Sequence, residues 1–322
     1  MNDLCVVVPA YNESEGLREF HKRLAAVLDQ LDLRSTVLYV DDGSRDDTYA
    51  VMESLRAADA RVSTLKLSRN FGKELALTAG LDHADGDAVI VIDADLQDPP
   101  ELIPEFVRYW REGNDIVYGT RSSRAGETGL KKLTAAGFYR VMSRLSATPV
   151  PRDTGDYRLL SRRALDGLKQ LRERQRFMKG LFTWVGYQQK AVVYDRDPRF
   201  AGSSKFNYWR LWNFALEGIT SFSTAPLRIA TYVGVLTAML AFVFGLFVFG
   251  KALLFGDPVR GYPTLMVVVL FLGGAQLMAL GLIGEYLGRL YMEAKQRPLY
   301  LVDAHHVAHA SEKGSAAPLP LR

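Results

Sequence analysis

Short apolar runs recur through the first part of the chain: LCVVV at 4–8, TVLYV at 36–40, VSTLKL at 62–67, AVIVI at 88–92 and DIVY at 115–118. They are rich in β-branched residues and bounded by polar turns, which marks them as buried strands. Between them the period changes to that of a helix. Leu17, Phe20, Leu24, Val27 and Leu31 line one face after Asn12 and Ser14, two candidate caps. Tyr49, Met52 and Leu55 follow DDGSRDDT, and a third helix runs from NFGKE through Leu75 and Ala79 to His83. Strands alternating with helices predict βαβ units and a mostly parallel sheet covered on both faces. No internal repeat is present.

Further on, the pattern changes in kind. Residues 229–250 (IATYVGVLTAMLAFVFGLFVFG) and 261–284 (GYPTLMVVVLFLGGAQLMALGLIG) contain no charged side chain. Each exceeds the roughly 20 residues that cross a hydrocarbon core, so the sequence predicts a two-helix membrane hairpin behind the α/β domain. Lys205, Arg210 and Arg228 precede the first span, and Arg289, Lys295 and Arg297 follow the second. Basic residues favour the cytoplasmic side. The expected location is therefore the inner (cytoplasmic) membrane, with the α/β domain and both termini in the cytoplasm. Just before the first span, Trp209, Trp212, Leu216, Ile219 and Phe222 form an apolar stripe. It suits a helix lying in the membrane interface, or else one packed into a domain core. The expected divisions are 1–200 for the α/β domain, 201–228 for the juxtamembrane helices, 229–288 for the spans and 289–322 for a cytoplasmic tail.

Composition adds three constraints. The 322 residues carry a net charge of +4, which suits an anionic partner but is too mild to predict nucleic acid. A single cysteine, Cys5, excludes a disulfide framework within the chain. The N-terminus lacks the basic flank and long apolar run of a signal peptide. Beyond residue 302 the tail is rich in Ala, Ser, Gly and Pro, which predicts disorder rather than a metal site at His305, His306 and His309.

The polar punctuation falls just after the strands: PAYNE at 9–13, DDGS at 41–44, SRNFGK at 68–73, DADLQD at 93–98 and GTR at 119–121. Open α/β sheets bind ligands at the carboxyl ends of their strands, so these loops should share one rim. Asp93 and Asp95 stand two apart at a strand end. Such a pair is either a solvated acidic turn or a site for Mg²⁺ or Mn²⁺, ions that need only one or two carboxylates beside substrate phosphates. No Walker A pattern occurs, and no G-x-G-x-x-G follows the first strand, so neither a P-loop enzyme nor a dehydrogenase is favoured.

PAYNE, DDGS, NFGKE, DADLQDPP and GDYRL at 155–159 together resemble the family 2 glycosyltransferases of the GT-A fold. FMKGLFTWVG at 177–186, the stretch 201–228 and the two spans extend the likeness to about residues 4–300, towards the bacterial polyprenyl-phosphate (bactoprenol) glucosyltransferases and dolichol-phosphate mannose synthase. The resemblance implies inverting transfer of glucose from UDP-glucose to the phosphate of undecaprenyl phosphate. UDP-galactose, GDP-mannose and UDP-formamido-arabinose are alternative donors. It further implies that Pro9, Tyr11, Glu13, Asp42, Lys73 and Gln97 hold the nucleotide sugar, that Asp93 and Asp95 hold metal and diphosphate, and that Asp156 is the catalytic base. A homo-oligomer, a flippase and an outward-facing transferase are the partners it suggests.

The acceptor is a phosphate monoester with a second pKa near 6, so it hardly needs a base; Asp156 either orients it or takes a residual proton. Two anionic substrates need cations. Arg121, Arg124, Lys131 with Lys132, Arg158 and Lys205 are candidates for the acceptor phosphate, against the plain alternative of solvated charges. Gln276 stands alone among apolar residues in the second span. A processive polysaccharide synthase is disfavoured by the missing Q-x-x-R-W motif, and a non-catalytic sugar-nucleotide scaffold by the three acids Asp93, Asp95 and Asp156.

Overall fold

The computed structural model describes residues 3–121, 154–174, 176–195 and 261–308, with scattered positions between 232 and 254. Its chain falls into two units, one built from Met1–Ser143, Thr148–Leu211 and Arg297–Arg322, the other from Arg144–Ala147 and Trp212–Gln296.

The first unit is a mixed α/β sheet. Strands β1 (Asp3–Ala10), β2 (Arg34–Asp41), β3 (Val62–Leu67) and β4 (Ala88–Val91) alternate with helices α1 (Leu17–Leu28), α2 (Thr48–Ala58) and α3 (Lys73–His83). A 3₁₀ turn at Pro100–Leu102 leads into α4 (Ile103–Arg111). Then come β5 (Ile116–Arg121), β6 (Thr154–Ser161), α5 (Arg162–Lys169), α6 (Met178–Trp184), β7 (Gln189–Tyr194) and β8 (Val302–His306). The spatial order is β7-β5-β6-β4-β1-β2-β3-β8. β1 pairs in parallel with β2 and β4, as do β2 with β3 and β5 with β7; β6 runs antiparallel to both β4 and β5, and β8 antiparallel to β3.

The alternation of side chains along each strand sorts the core. Val6, Val8, Tyr39, Ile90 and Tyr157 join Phe20, Leu24, Met52 and Phe106 in one cluster, under α1, α2 and α4. The opposite face takes α3, α5 and α6. Gly80 lets α3 approach closely there: a Cβ on it would stand 2.4 Å from Val7 Cγ1.

Two expectations need correction. Asn12 and Ser14 do not cap α1, whose first turn follows Gly16. Asn12 Oδ1 instead accepts the Arg45 N–H at 2.9 Å, and Ser14 Oγ donates to Asp46 at 2.8 Å, tying the first loop to the second. Nor does the expected disorder hold at residues 302–306, which form a strand; residues 309–322 lie outside the described residues. β8 covers the edge of β3, an edge whose free N–H and C=O groups need a partner. The strand is anchored by Lys66–Asp303 at 2.8 Å and by Glu53, 3.2 Å from His306 Nδ1, while His305 packs edge-on against His83.

In the second unit, α7 (Tyr262–Ala294) is 33 residues long and contains most of the second apolar stretch, while the described positions between 232 and 254 are all helical. Taken over the described residues alone, no helix is long and apolar enough to cross a membrane.

Candidate active site

The carboxyl ends of β1, β2, β3, β4 and β5 lie along one edge of the sheet, as their shared direction requires. Because β6 runs the other way, it is the start of that strand that reaches the same edge. Val91 pairs with Arg158; two steps onward the register sets Asp93 against Asp156. The side chains meet through a third residue. Lys73, first in α3, places Nζ 2.7 Å from Asp93 Oδ2 and 2.7 Å from Asp156 Oδ2. The three residues come from three separate segments and form the centre of the site.

Burial alternates along VIDADLQDPP. Ile92, Ala94 and Leu96 belong to the core, whereas Asp93, Asp95 and Gln97 are only half-buried. The Asp95 carboxylate accepts the Gln97 N–H at 3.1 Å, and Leu96 is held at φ 60°. That conformation is strained for a non-glycine residue and is retained where the surroundings over-determine it, often at functional sites. Here the surroundings are two tyrosines. Tyr157 donates its hydroxyl proton to the Pro99 carbonyl at 3.0 Å, and Tyr194 donates to Asp98 from below. Asp98 is thus a buried anchor of the loop and takes no place beside Asp93 and Asp95.

Asp42 is just as firmly engaged. One carboxylate oxygen accepts the Phe71 N–H at 2.7 Å and the other the Gly72 N–H at 3.0 Å. Burial raises its pKa and those two bonds lower it, with burial the larger influence. Gly43, at φ 63°, fits beneath the same loop, where a Cβ would lie 2.4 Å from the carbonyl carbon of Arg69. Loops 41–44 and 68–73 are therefore clasped together, and the clasp ends one residue before Lys73. Asp41, wholly buried, bonds the Ser44 N–H through Oδ1, while its Oδ2 has no hydrogen-bond partner.

Around Asp156 the electrostatics are one-sided. Burial alone would raise its pKa, but Lys73, Lys179 and Arg158 outweigh burial and hold the carboxyl well below the usual carboxylate range. Its Oδ1 is buried without a hydrogen-bond partner, an acceptor open to a proton donor. On Lys73 burial acts downwards and the Asp93 and Asp156 charges win, so its pKa is raised. Glu74 is the exception. Burial first, then the Asp156 charge, push it up to about 7, although it accepts the Met178 N–H at 3.2 Å. Glu74 belongs to the NFGKE motif, but its part in the site emerges only when α6 is seen to pack against it.

Arg158, expected at the acceptor phosphate, is placed behind the site. It is 4% exposed, stacks on Phe182 with the guanidinium carbon 3.7 Å from the ring centre, and donates to the carbonyls of Gly155 and Asp156. Burial brings its pKa down to about 10, so it stays cationic and supports Asp156 from the protein side. Pro9 is buried in β1, while Tyr11 is exposed and Glu13 half-buried on the rim. Arg121 ends β5, its side chain outside the described residues, as are Arg124, Lys131, Lys205 and the stripe at 209–222.

Comparison with known proteins identifies the family. The model of glycosyl transferase family 2 matches residues 5–168, and that of the GtrB C-terminal hairpin matches residues 225–290. An uncharacterized glycosyltransferase of Synechocystis sp. PCC 6803 is 53% identical over 93% of this chain and 94% of its own. The SfII prophage-derived bactoprenol glucosyl transferase of Shigella flexneri is 47% identical over 94% of this chain and 98% of its own. A prophage bactoprenol glucosyl transferase homolog of Escherichia coli K12 is 46% identical over 93% and 98%. The chain is a family 2 glycosyltransferase and belongs among the bactoprenol glucosyl transferases.

Proposed function

We propose that the enzyme transfers glucose from UDP-glucose to the phosphate of a membrane polyprenol, undecaprenyl phosphate, with inversion at the anomeric carbon. The observation that carries the reading is the meeting of Asp93, Lys73 and Asp156 on the rim, inside a chain so similar to proteins named for that transfer. Loops 9–13, 41–44 and 68–73 then receive the nucleotide. Asp93 and Asp95 fit a divalent ion, Mg²⁺ or Mn²⁺, of the kind completed by substrate phosphate. Among the described residues no three-ligand cluster exists, and the Lys73 ammonium marks where the site demands positive charge. When bound, such an ion stabilises charge developing on the leaving diphosphate.

Asp156 orients the acceptor. Its depressed pKa makes it a weak base, and the acceptor phosphate is largely dianionic at pH 7. The anomeric carbon is oxocarbenium-like as the bond breaks, and an in-line acceptor on its opposite face gives inversion. Arg121, Arg124, Lys131 and Lys205 are assigned to the lipid phosphate.

The membrane assignment draws support from α7. Phe271, Leu277 and Met278 are 62%, 71% and 76% exposed, and with Leu272, Leu280 and Ile283 they surround the helix at 100° per residue. An apolar surface on every side suits lipid and not water. The reading places the protein in the cytoplasmic membrane, catalytic unit inside, as a homo-oligomer working ahead of a flippase and an outward-facing transferase. The test is transfer of radiolabelled sugar to undecaprenyl phosphate by the purified full chain with Mg²⁺ or Mn²⁺. UDP-glucose should be used in preference to UDP-galactose, GDP-mannose and UDP-formamido-arabinose. Nucleotide binding with no lipid-linked product from any donor would refute it.

A further inference from the structure

We propose that Lys73 is the resident countercation of the donor-free site and competes with the divalent ion for Asp93. The inference rests on the reading above, in which Asp93 and Asp95 meet a metal ion and a nucleotide diphosphate.

The ammonium lies 2.7 Å from both Asp93 Oδ2 and Asp156 Oδ2. Two carboxylates sharing one small space repel unless a cation joins them, and Lys73 is that cation here. The exposures show from which side it comes. The Lys73 side chain is 49% exposed, against 20% for Asp93 and 12% for Asp156. The acids belong to the wall, and the lysine reaches them from the open side. Its main chain is held, because the preceding Phe71 and Gly72 N–H groups both donate to Asp42. The four-carbon stem beyond that anchor is flexible, and lysine acts as a rotatable point charge.

An ammonium and a divalent cation cannot both contact Asp93 Oδ2, since like charges so close repel strongly. When the ion takes Asp93, the ammonium must keep Asp156 alone or turn to an incoming anion. A diphosphate is the anion the site is built to admit, and lysine is an established phosphate partner. One residue therefore offsets part of the acidic charge before the donor arrives and then contributes to donor binding. Metal and nucleotide assist each other through it, and such coupling is reciprocal.

The experiment is a Mn²⁺ titration of the full-length protein in nanodiscs, followed by the electron paramagnetic resonance signal of free Mn²⁺, with and without UDP. Lys73→Met should bind Mn²⁺ about tenfold more tightly than wild type without UDP, a coupling of ordinary size, and the gain on adding UDP should shrink. Lys73→Arg, which keeps a cation, should leave nucleotide-free binding weak. Adding Asp93→Asn to Lys73→Met should abolish the gained affinity. Lys73→Gln reads the same effect should Lys73→Met fail to fold. Nucleotide-free affinity in Lys73→Met or Lys73→Gln that is unchanged or weaker than wild type overturns the inference. So does a gain that survives Asp93→Asn. Sugar transfer is absent from this readout, so the assignment of the reaction and the competition at Asp93 stand or fall separately.

Discussion

Asp42→Asn separates two roles for one carboxylate: direct contact with nucleotide, and closure of the loop that carries Lys73. The side chain is 3% exposed and accepts one backbone N–H on each oxygen, at 2.7 and 3.0 Å. Asparagine keeps one acceptor and turns the other position into an NH₂ that faces an N–H. A hydrogen bond to a charged group, about 1.5–3 kcal/mol, is lost, and an opposed buried donor costs about 1–3 kcal/mol more. Removing a charge from a buried position offsets part of this, leaving a net loss of roughly 2–4 kcal/mol. At about 2–4 °C per kcal/mol for a domain of this size, the nucleotide-free protein should melt roughly 4–16 °C lower. Scanning fluorimetry of the full chain measures that shift, and calorimetric titration with UDP measures binding on the same preparation. Turnover should also fall, since Lys73 follows the clasped segment directly and a displacement near 1 Å is worth about a hundredfold in rate. A melting temperature within about 1 °C of wild type, with UDP affinity alone reduced, would refute the clasp and leave Asp42 a nucleotide ligand only.

The depressed pKa of Asp156 sets a pH window. A carboxyl whose folded pKa lies below its unfolded value of about 3.9 contributes stability above that value and loses it as pH falls through the folded one. The stability gap between wild type and Asp156→Asn should therefore close below about pH 4, and it should also narrow as pH rises through about 7, where Glu74 ionises against the Asp156 charge in wild type. Turnover of Asp156→Asn should be lowered by a similar factor from pH 6 to 8, as an orienting role requires; a loss confined to pH below about 6 would assign Asp156 the acceptor proton. Deleting residues 297–322 removes β8 with the Ser68 N–H bond to the Leu301 carbonyl at 2.9 Å and the Tyr300 hydroxyl bond to Asp82 at 2.9 Å. Amide exchange at Ser68–Gly72 should then speed up at least tenfold, the loss of about 1.4 kcal/mol of local stability; unchanged exchange would show that β8 does not brace the loop.

Much of the sheet can be read from residue order, because β1, β2 and β4 contain continuous apolar runs and α1 and α2 each show one apolar face, and parallel βαβ units leave that signature. The later strands leave less. β6 reads TGDYRLLS and is buried along its whole length, so its polar residues disguise it: Asp156 and Arg158 face a charged interior rather than solvent. β8 reads VDAHH and is largely exposed. Its place depends on β3 lacking a neighbour and on ion pairs with Glu53 and Lys66, facts that no local pattern contains. The site divides in the same way. Asp93 and Asp95 announce themselves by their spacing after a buried strand, and Lys73 by its motif. That the three acids and bases form one cluster follows only from the antiparallel entry of β6, which brings Asp156 across from Asp93. The same geometry decides the role of Asp98. With residues 94 and 96 committed to the core by alternation, position 98 must also turn inwards, and a buried carboxylate there is tolerable because the Tyr194 hydroxyl meets it. Charge at the end of a strand is therefore two separate features in this protein: an outward pair, with Asp93 held by the Lys73 ammonium, and an inward anchor at Asp98.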